Sequence, residues 1–259
     1  MSKKSNQTDS KRADLYDEGN FNYLHYWDGR DYEHRSEQLA IKRLLSRRSF
    51  QHAADIGGGY GRLCVVLQKY AQRVSLAEPS KKQLAIAKQY LKAYPGIDQK
   101  RMQADDLQFQ TNSLDLVTMI RVMHHLPDPS KEFAEIARVL KKDGYLVLEV
   151  ANYSHIRNRI RYARRREKLP NKPVDIRSEA HRHDKEVAFV NHNPKTVIKQ
   201  LAHAGLKVER TLSVSNLRSP GLKRVLPVRL MLAVEWILQP LLAKLYFGPS
   251  VFFLIRRVK

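Results

Sequence analysis

The chain has 259 residues, 42% of them hydrophobic and 28% charged, with a formal net charge of +21. A chain of this length buries roughly 70–75% of its unfolded surface, and this composition excludes a wholly disordered or fibrous protein. The single cysteine, Cys64, excludes a disulfide framework, a multi-cysteine metal site and chemistry that needs two thiols.

The N-terminal MSKKSNQTDS lacks the apolar core of a secretory signal, so the expectation is a reducing, cytoplasmic setting. Residues 1–13 are polar and aperiodic and read as a disordered tail. Tyr16, Phe21, Tyr23, Tyr26, Trp27 and Tyr32 form an aromatic stretch. Leu39, Ile41, Leu44 and Leu45 then recur at helical spacing, predicting a helix over about 33–47. Ala53–Ile56 reads as a short buried strand ending in glycines. Leu63–Tyr70 reads as a helix, and Arg73–Glu78 as a strand. Ser80 is placed to cap a helix over Lys81–Ala93 that ends at Pro95-Gly96. A weak strand is expected at Arg101–Gln103 and a firmer one at Leu114–Ile120. A helix over Ser130–Leu140, stopped near Asp143-Gly144, leads to a strand over Tyr145–Val150. This alternation predicts an α/β fold: a parallel sheet with helices on both faces. After residue 150 the rhythm breaks. Residues 152–193 form a basic insert, a helix follows Asn193-Pro194, Leu206–Val214 reads as a strand, residues 216–249 form an apolar insert, and Ser250–Ile255 is a terminal strand.

The most informative stretch is Asp55-Ile56-Gly57-Gly58-Gly59-Tyr60-Gly61-Arg62 at a strand-to-helix turn. Glycines there let a backbone approach a ligand closely. A dinucleotide fingerprint needs glycine at 62, where Arg stands, and no Gly-Lys-Ser/Thr follows, so neither that motif nor a P-loop fits. Glu78 lies 23 residues after Asp55 at the end of the next predicted strand, where a carboxylate can accept both hydrogens of a ribose diol. Gln103-Ala104-Asp105-Asp106-Leu107-Gln108-Phe109 follows, then Ser113-Leu114-Asp115-Leu116-Val117 and Arg121-Val122-Met123-His124-His125-Leu126-Pro127-Asp128.

This series resembles the class I S-adenosylmethionine-dependent methyltransferases over about residues 50–150, and more weakly over 190–215 and 250–257. The resemblance implies S-adenosyl-L-methionine as cofactor and a Rossmann-like three-layer sandwich. Its sheet would be seven-stranded and mostly parallel, with the last strand antiparallel between its neighbours. The resemblance assigns Asp55, Gly57, Gly58, Gly59 and Gly61 to the methionine end of the cofactor and Glu78 to its ribose. Adenine falls to the segment Gln103, Ala104, Asp105. Gln103 stands where the family has Asp and Gln108 where it has Pro, so either Gln103 or Asp105 meets the adenine amino group. Arg121, just after the fourth strand, completes the implied cofactor set. His124 and His125 are the candidate catalytic base, with shaping of the pocket floor as the alternative role. Tyr23, Tyr26, Trp27 and Arg30 either cover the cofactor, as part of an N-terminal helical lid over 14–48, or only pack a helix. On this reading 14–259 is one methyltransferase domain.

No Asn/Asp-Pro-Pro-Tyr/Phe follows the fourth strand, which argues against methylation of exocyclic amines on bases or of glutamine amides. Cys64 is far from that loop, which argues against cytosine C5 chemistry. His-His-Leu-Pro-Asp is closer to the small-molecule and quinone methyltransferases, so a small lipophilic or anionic substrate is expected. Net charge is +2 over 1–50, +3 over 51–150 and +16 over 151–259. An anionic partner for the last part follows, with a merely solvated surface as the alternative. Arg157, Arg159, Arg161, Arg164, Arg165, Arg166 and Lys168 would suit RNA, but only Tyr153 and Tyr162 interleave, so stacking support is thin. An RNA or ribosome-associated methyltransferase and a non-catalytic binding protein on the same fold are the alternative functions. His181, His183 and His192 lack the further ligand that a metal site needs, and no metal is expected. The run 222–247, interrupted by Glu235, Gln239 and Pro240, is too short to span a bilayer. It suits the inner face of a membrane, a dimer interface or packing over the sheet edge.

Overall fold

The computed structural model describes residue 17 and residues 25–177 and 189–258. The expected tail at 1–13, the aromatics Tyr16, Phe21 and Tyr23, and the pair His181 and His183 lie outside the described residues.

In chain order the structure runs α1 (Asp31–Leu44), β1 (Phe50–Ile56), α2 (Cys64–Leu67), β2 (Ala71–Ala77), α3 (Lys81–Tyr90), β3 (Ile97–Lys100) and β4 (Leu114–Met119). It continues with α4 (Ser130–Val139), β5 (Leu140–Ala151), α5 (Ile156–Arg165), β6 (Val174–Asp175), β7 (Val190–Asn191) and α6 (Pro194–His203). It ends with β8 (Leu206–Val214), α7 (Pro220–Val225), α8 (Val228–Leu241) and β9 (Ser250–Arg257). Seven strands form one sheet in the order β3-β2-β1-β4-β5-β9-β8, and β6 and β7 form a separate two-stranded ribbon. The strands β1 to β5 pair in parallel, while β9 lies antiparallel between β5 and β8. The expected α/β Rossmann-like sheet is therefore present, with the final strand reversed.

Sequence chemistry explains the element ends. Ser80 caps α3, its Oγ accepting from Gln83 N at 3.1 Å and donating to Asp17 Oδ1 at 2.6 Å; Asp17 also accepts from Lys82 N at 3.0 Å. Free helix N–H groups and a favourable dipole account for that carboxylate. Asn193 caps α6 through Lys195 N, and Pro194 follows it in the first turn, where a missing N–H costs nothing. Central strands are buried on both faces, so their apolar runs are continuous. In β9, Val251, Phe253 and Ile255 join one hydrophobic core and Phe252 and Leu254 the other, the period-two alternation of a strand.

Three sequence expectations need correction. The helix expected at Leu63–Tyr70 is only Cys64–Leu67. The chain must leave it because Tyr70 O already accepts from Phe50 N at 2.8 Å and Ala71 pairs with Phe50 in the sheet. The strand expected at Arg101–Gln103 lies earlier, at Ile97–Lys100. It is a polar edge strand whose Asp98 is held by Arg73 Nε at 2.8 Å, so it carries little apolar signal. The helix expected to run to Leu140 and stop near Gly144 ends at Val139, and β5 begins at Leu140. Leu140 is buried and paired with Leu114, which draws it into the sheet.

Because Phe253 is fully buried in the middle of the sheet, Phe253→Ala is expected to cost about 3–5 kcal/mol of unfolding free energy, measured by denaturant titration.

Candidate active site

The strands β1, β2 and β4 end at the same edge of the sheet, and the loops beyond them line an open cleft. Ligands of open α/β sheets bind at the carboxyl ends of the strands. Of the residues singled out in the sequence, Gly57, Gly59, Glu78, Gln103, Ala104, Asp105, Arg121 and His125 line this cleft. Asp55, Gly58, Gly61 and His124 do not.

Asp55 lies beneath the glycine loop. It is fully buried, and its Oδ1 accepts from Thr118 Oγ1 at 2.6 Å. A Cβ on Gly58 would stand 2.5 Å from Asp55 Oδ2 and 2.6 Å from Leu76 Cδ1, so only glycine allows the loop to sit on that carboxylate. Gly59 has φ +59°, a conformation that disfavours side chains. Burial pushes the Asp55 carboxyl up to about 6, against the opposing hydrogen bond from Thr118. Cys64 is buried with its Sγ 3.8 Å from Asp55 Oδ2, and burial beside that carboxylate pushes the thiol up.

Glu78 joins the two sides of the cleft. Its Oε2 accepts from Gly59 N at 2.8 Å and its Oε1 from Ser80 N at 3.0 Å. A carboxylate has about four acceptor positions, so each oxygen retains one for a hydroxyl. Burial pushes Glu78 up to about 7, although both backbone bonds favour the charged form.

The opposite wall carries Arg121, Val122, His125 and Leu126. Arg121 Nη1 donates to Glu37 Oε1 at 3.0 Å, Nη2 donates to Tyr26 Oη, and the backbone N donates to Glu149 Oε2 at 3.1 Å. Glu37 also accepts from Arg62 at 2.6 Å, and Arg62 lies 3.9 Å over the Trp27 ring. The aromatic segment before α1 is thus fastened beside the cleft by two guanidinium groups. His124 packs at tilted angles against His125, 4.0 Å between ring centroids, and Phe189, 4.3 Å. Burial, with nearby His125 and Arg121, holds its pKa well below the usual imidazole value, so it is neutral at pH 7. His192, behind this pair, donates from Nε2 to Met123 O at 2.9 Å.

Sequence reasoning missed Pro79, Gln83, Val122, Leu126 and Glu132 in the wall. Gln83 is the most telling. It is 2% exposed, and neither atom of its amide has a hydrogen-bond partner among the described residues. A buried amide is normally satisfied, and a polar ligand edge in the cleft would meet it. Its only signal was its place three residues after the capping Ser80.

Residues 54–148 match the family model described as a methyltransferase domain. Over these residues the chain carries a methyltransferase domain similar to those of the class I S-adenosylmethionine-dependent superfamily. It is 31% identical over 104 residues to the uncharacterized methyltransferase YcgJ of Bacillus subtilis, covering 39% of this chain and 41% of that protein. It is 29% identical over 100 residues to the ubiquinone biosynthesis O-methyltransferase of Xanthomonas oryzae pv. oryzae, covering 38% and 42%. The chain thus spans less than half the length of these two relatives. A solved S-adenosylmethionine-dependent methyltransferase from Mesorhizobium loti shares the fold, with a TM-score of 0.59 and 18% identity over 86% of this chain and 98% of that one.

The raised carboxyl values set the sign of a pH effect. Folded Asp55 and Glu78 bind protons more tightly than their unfolded values of 3.8 and 4.5 allow. Their contribution to stability is therefore complete below about pH 4 and is lost as pH rises through about 6 to 7. In Glu78→Gln the melting temperature should fall less steeply between pH 5 and 7.5 than in the unsubstituted protein without ligand. Overall stability should drop by about 1–3 kcal/mol, because the amide NH2 faces a backbone N–H. Parallel pH profiles for the two proteins would contradict the burial of an ionisable Glu78.

Proposed function

We propose that residues 14–259 act as one domain that transfers a methyl group from S-adenosylmethionine to a small lipophilic or anionic molecule. The observation that carries this reading is the convergence of Gly57, Gly59, Glu78, Gln103, Ala104 and Asp105 on one cleft. The polar groups match the parts of the cofactor: backbone for the methionine end, a carboxylate with two spare acceptor positions for the ribose diol, and amide and carboxylate edges for adenine. The orphaned Gln83 amide on the same wall fits a nucleoside edge, which carries both donors and acceptors. The Arg121 guanidinium offers charge-assisted bonds to a carboxylate. Asp55, Gly58 and Gly61 act from beneath, holding the turn.

When bound, S-adenosylmethionine would supply a sulfonium-activated methyl carbon open to in-line attack, the C–S bond breaking with its electron pair on the departing S-adenosylhomocysteine sulfur. The residues of the chain align the nucleophile and exclude water, and alignment alone is worth up to about 7–11 kcal/mol in favourable cases. Where the nucleophile carries a proton, His125 on the cleft wall is the candidate to accept it, with His124 packed against it.

The substrate class is supported by a second cleft of about 1,550 Å³, whose walls include Arg30, His155, Arg157, Arg218, Leu222 and Phe247. Glu33 on the same wall pairs with Arg218 and Lys223, and Arg30 and Arg157 beside the apolar groups suit a molecule with an acidic end and a greasy body. The Tyr26 hydroxyl connects the two clefts, accepting from Arg121 on the first and from Arg30, at 3.1 Å, on the second. One observation favours an RNA substrate instead: α5 exposes Arg157, Arg161, Arg164 and Arg165. Against it, Tyr153 and Tyr162 place their hydroxyls 3.1 Å apart and are engaged with each other.

Two measurements test the reading. Binding of S-adenosylmethionine that uses ionised Glu78 should tighten up to about tenfold per pH unit below pH 7 and level off above it. Glu78→Gln should bind more weakly at pH 8 and show little of this dependence in calorimetry. Methyl-labelled S-adenosylmethionine, incubated with the protein and a cell extract, should label the lipid-soluble or acidic small-molecule fraction. Label confined to RNA would move the assignment to the arginine-rich helix, and binding without any transfer would leave a non-catalytic cofactor protein.

A further inference from the structure

Helix α8 is inverted. The residues it turns inward, toward α1 and β8, are Met231, Glu235 and Gln239. Glu235 is fully buried, accepting from Tyr32 Oη at 2.7 Å, Ser215 N at 2.8 Å and Asn216 N at 3.1 Å. Gln239 Nε2 donates to Ser36 O at 3.0 Å. The residues it turns outward are Leu230, Val234, Ile237 and Leu241, at 51%, 38%, 63% and 68% exposure. Their spacing of four, three and four places them in one stripe along the helix, which Leu245 extends. Val225, at the end of α7, is 79% exposed. A helix normally turns its apolar stripe to the core, so this face is made for something outside the fold.

The charges beside the stripe say what. Between residues 216 and 250 the cations are Arg218, Lys223, Arg224, Arg229 and Lys244, and the only carboxylate is Glu235, which is buried. Arg224, Arg229 and Lys244 are exposed. Trp236, at the helix flank, is covered by the Arg43 guanidinium at 3.5 Å. Two copies meeting through this stripe would bring cation against cation, whereas an anionic lipid surface complements both its apolar centre and its cationic border. At 14 residues α8 is about 21 Å long, short of the ~30 Å hydrocarbon layer, and among the described residues no helix is long and apolar enough to cross a membrane.

We infer that α7 and α8 dock the protein on an anionic phospholipid surface, α8 lying in the plane of the interface with Leu230, Val234, Ile237 and Leu241 in the acyl boundary. The adjoining second cleft, to which Leu222 and Lys223 of α7 belong, then opens beside the lipid. This inference stands on the stripe and its charges and does not depend on the methyl-transfer reading.

Co-sedimentation of the full chain with vesicles of phosphatidylglycerol and phosphatidylcholine tests it. Mixed vesicles should recruit the protein, pure phosphatidylcholine should recruit far less, and rising salt should release it. The double variant Arg229→Gln/Lys244→Gln should lower the partition coefficient about 20–30-fold, about fivefold per cation. Ile237→Glu/Leu241→Glu should abolish recruitment while leaving the melting temperature and S-adenosylmethionine binding unchanged, since both side chains are exposed. Failure of mixed vesicles to bind the unsubstituted protein overturns the inference. In that case, a dimer seen by light scattering and dispersed by Ile237→Glu/Leu241→Glu assigns the stripe to a second copy. Retention of vesicle binding in the glutamate variant overturns it equally.

Discussion

The Glu78 carboxylate holds the cleft at the carboxyl ends of β1 and β2 in shape. β1 and β2 are parallel neighbours, and each ends in a loop with backbone N–H groups that the sheet no longer satisfies. Glu78, at the end of β2, accepts from Gly59 in the first loop and from Ser80 in the second. One side chain thereby fixes the glycine turn relative to the start of α3, and both oxygens keep capacity for a ligand. Desolvation makes its charged form costly, so the group that organises the cleft is also the one whose ionisation a ligand can stabilise. Asp55 plays the complementary part below the loop, where Gly58 must lack a side chain to pass over it.

Two further buried carboxylates extend the same logic outward. Glu37 sits between Arg62 and Arg121, so the segment before α1 is joined to the wall formed after β4. Glu235 anchors α8 to the turn after β8 and to Tyr32 of α1. Removing one partner from such a buried charged cluster is strongly destabilising because it strands the other. The cleft wall, the aromatic segment before α1 and the apolar helix are therefore mechanically connected through α1, which carries both Glu37 and Tyr32.

Much of this was legible in the sequence because local chemistry and fold agreed. Ser80 and Asn193 cap helices as their residue types suggest, Leu206–Val214 forms a strand with those ends, and the glycine run marks a strand end beside a cleft. What was not legible depends on pairing between distant segments. Edge strand β3 is polar and stands only because Val74 to Ala77 offers it partners. Gln83 and Glu132 reach the cleft through the position of their helices, which no local pattern announces. Glu235 shows the limit most clearly. In the sequence it interrupts an apolar run, while in the structure it is the buried anchor and Leu230, Val234, Ile237 and Leu241 face outward. With apolar residues on nearly every side of α8, periodicity could not say which face was inner.

Ultraviolet crosslinking of methyl-labelled S-adenosylmethionine, followed by peptide mapping, shows whether the cofactor occupies the cleft between the glycine loop, Glu78 and the segment 103–105. Label is expected on peptides containing Gly57–Gly61, Glu78–Gln83 or Gln103–Asp105, displaced by excess unlabelled S-adenosylhomocysteine. Label that maps to the second cleft, or that S-adenosylhomocysteine does not displace, would place the cofactor elsewhere.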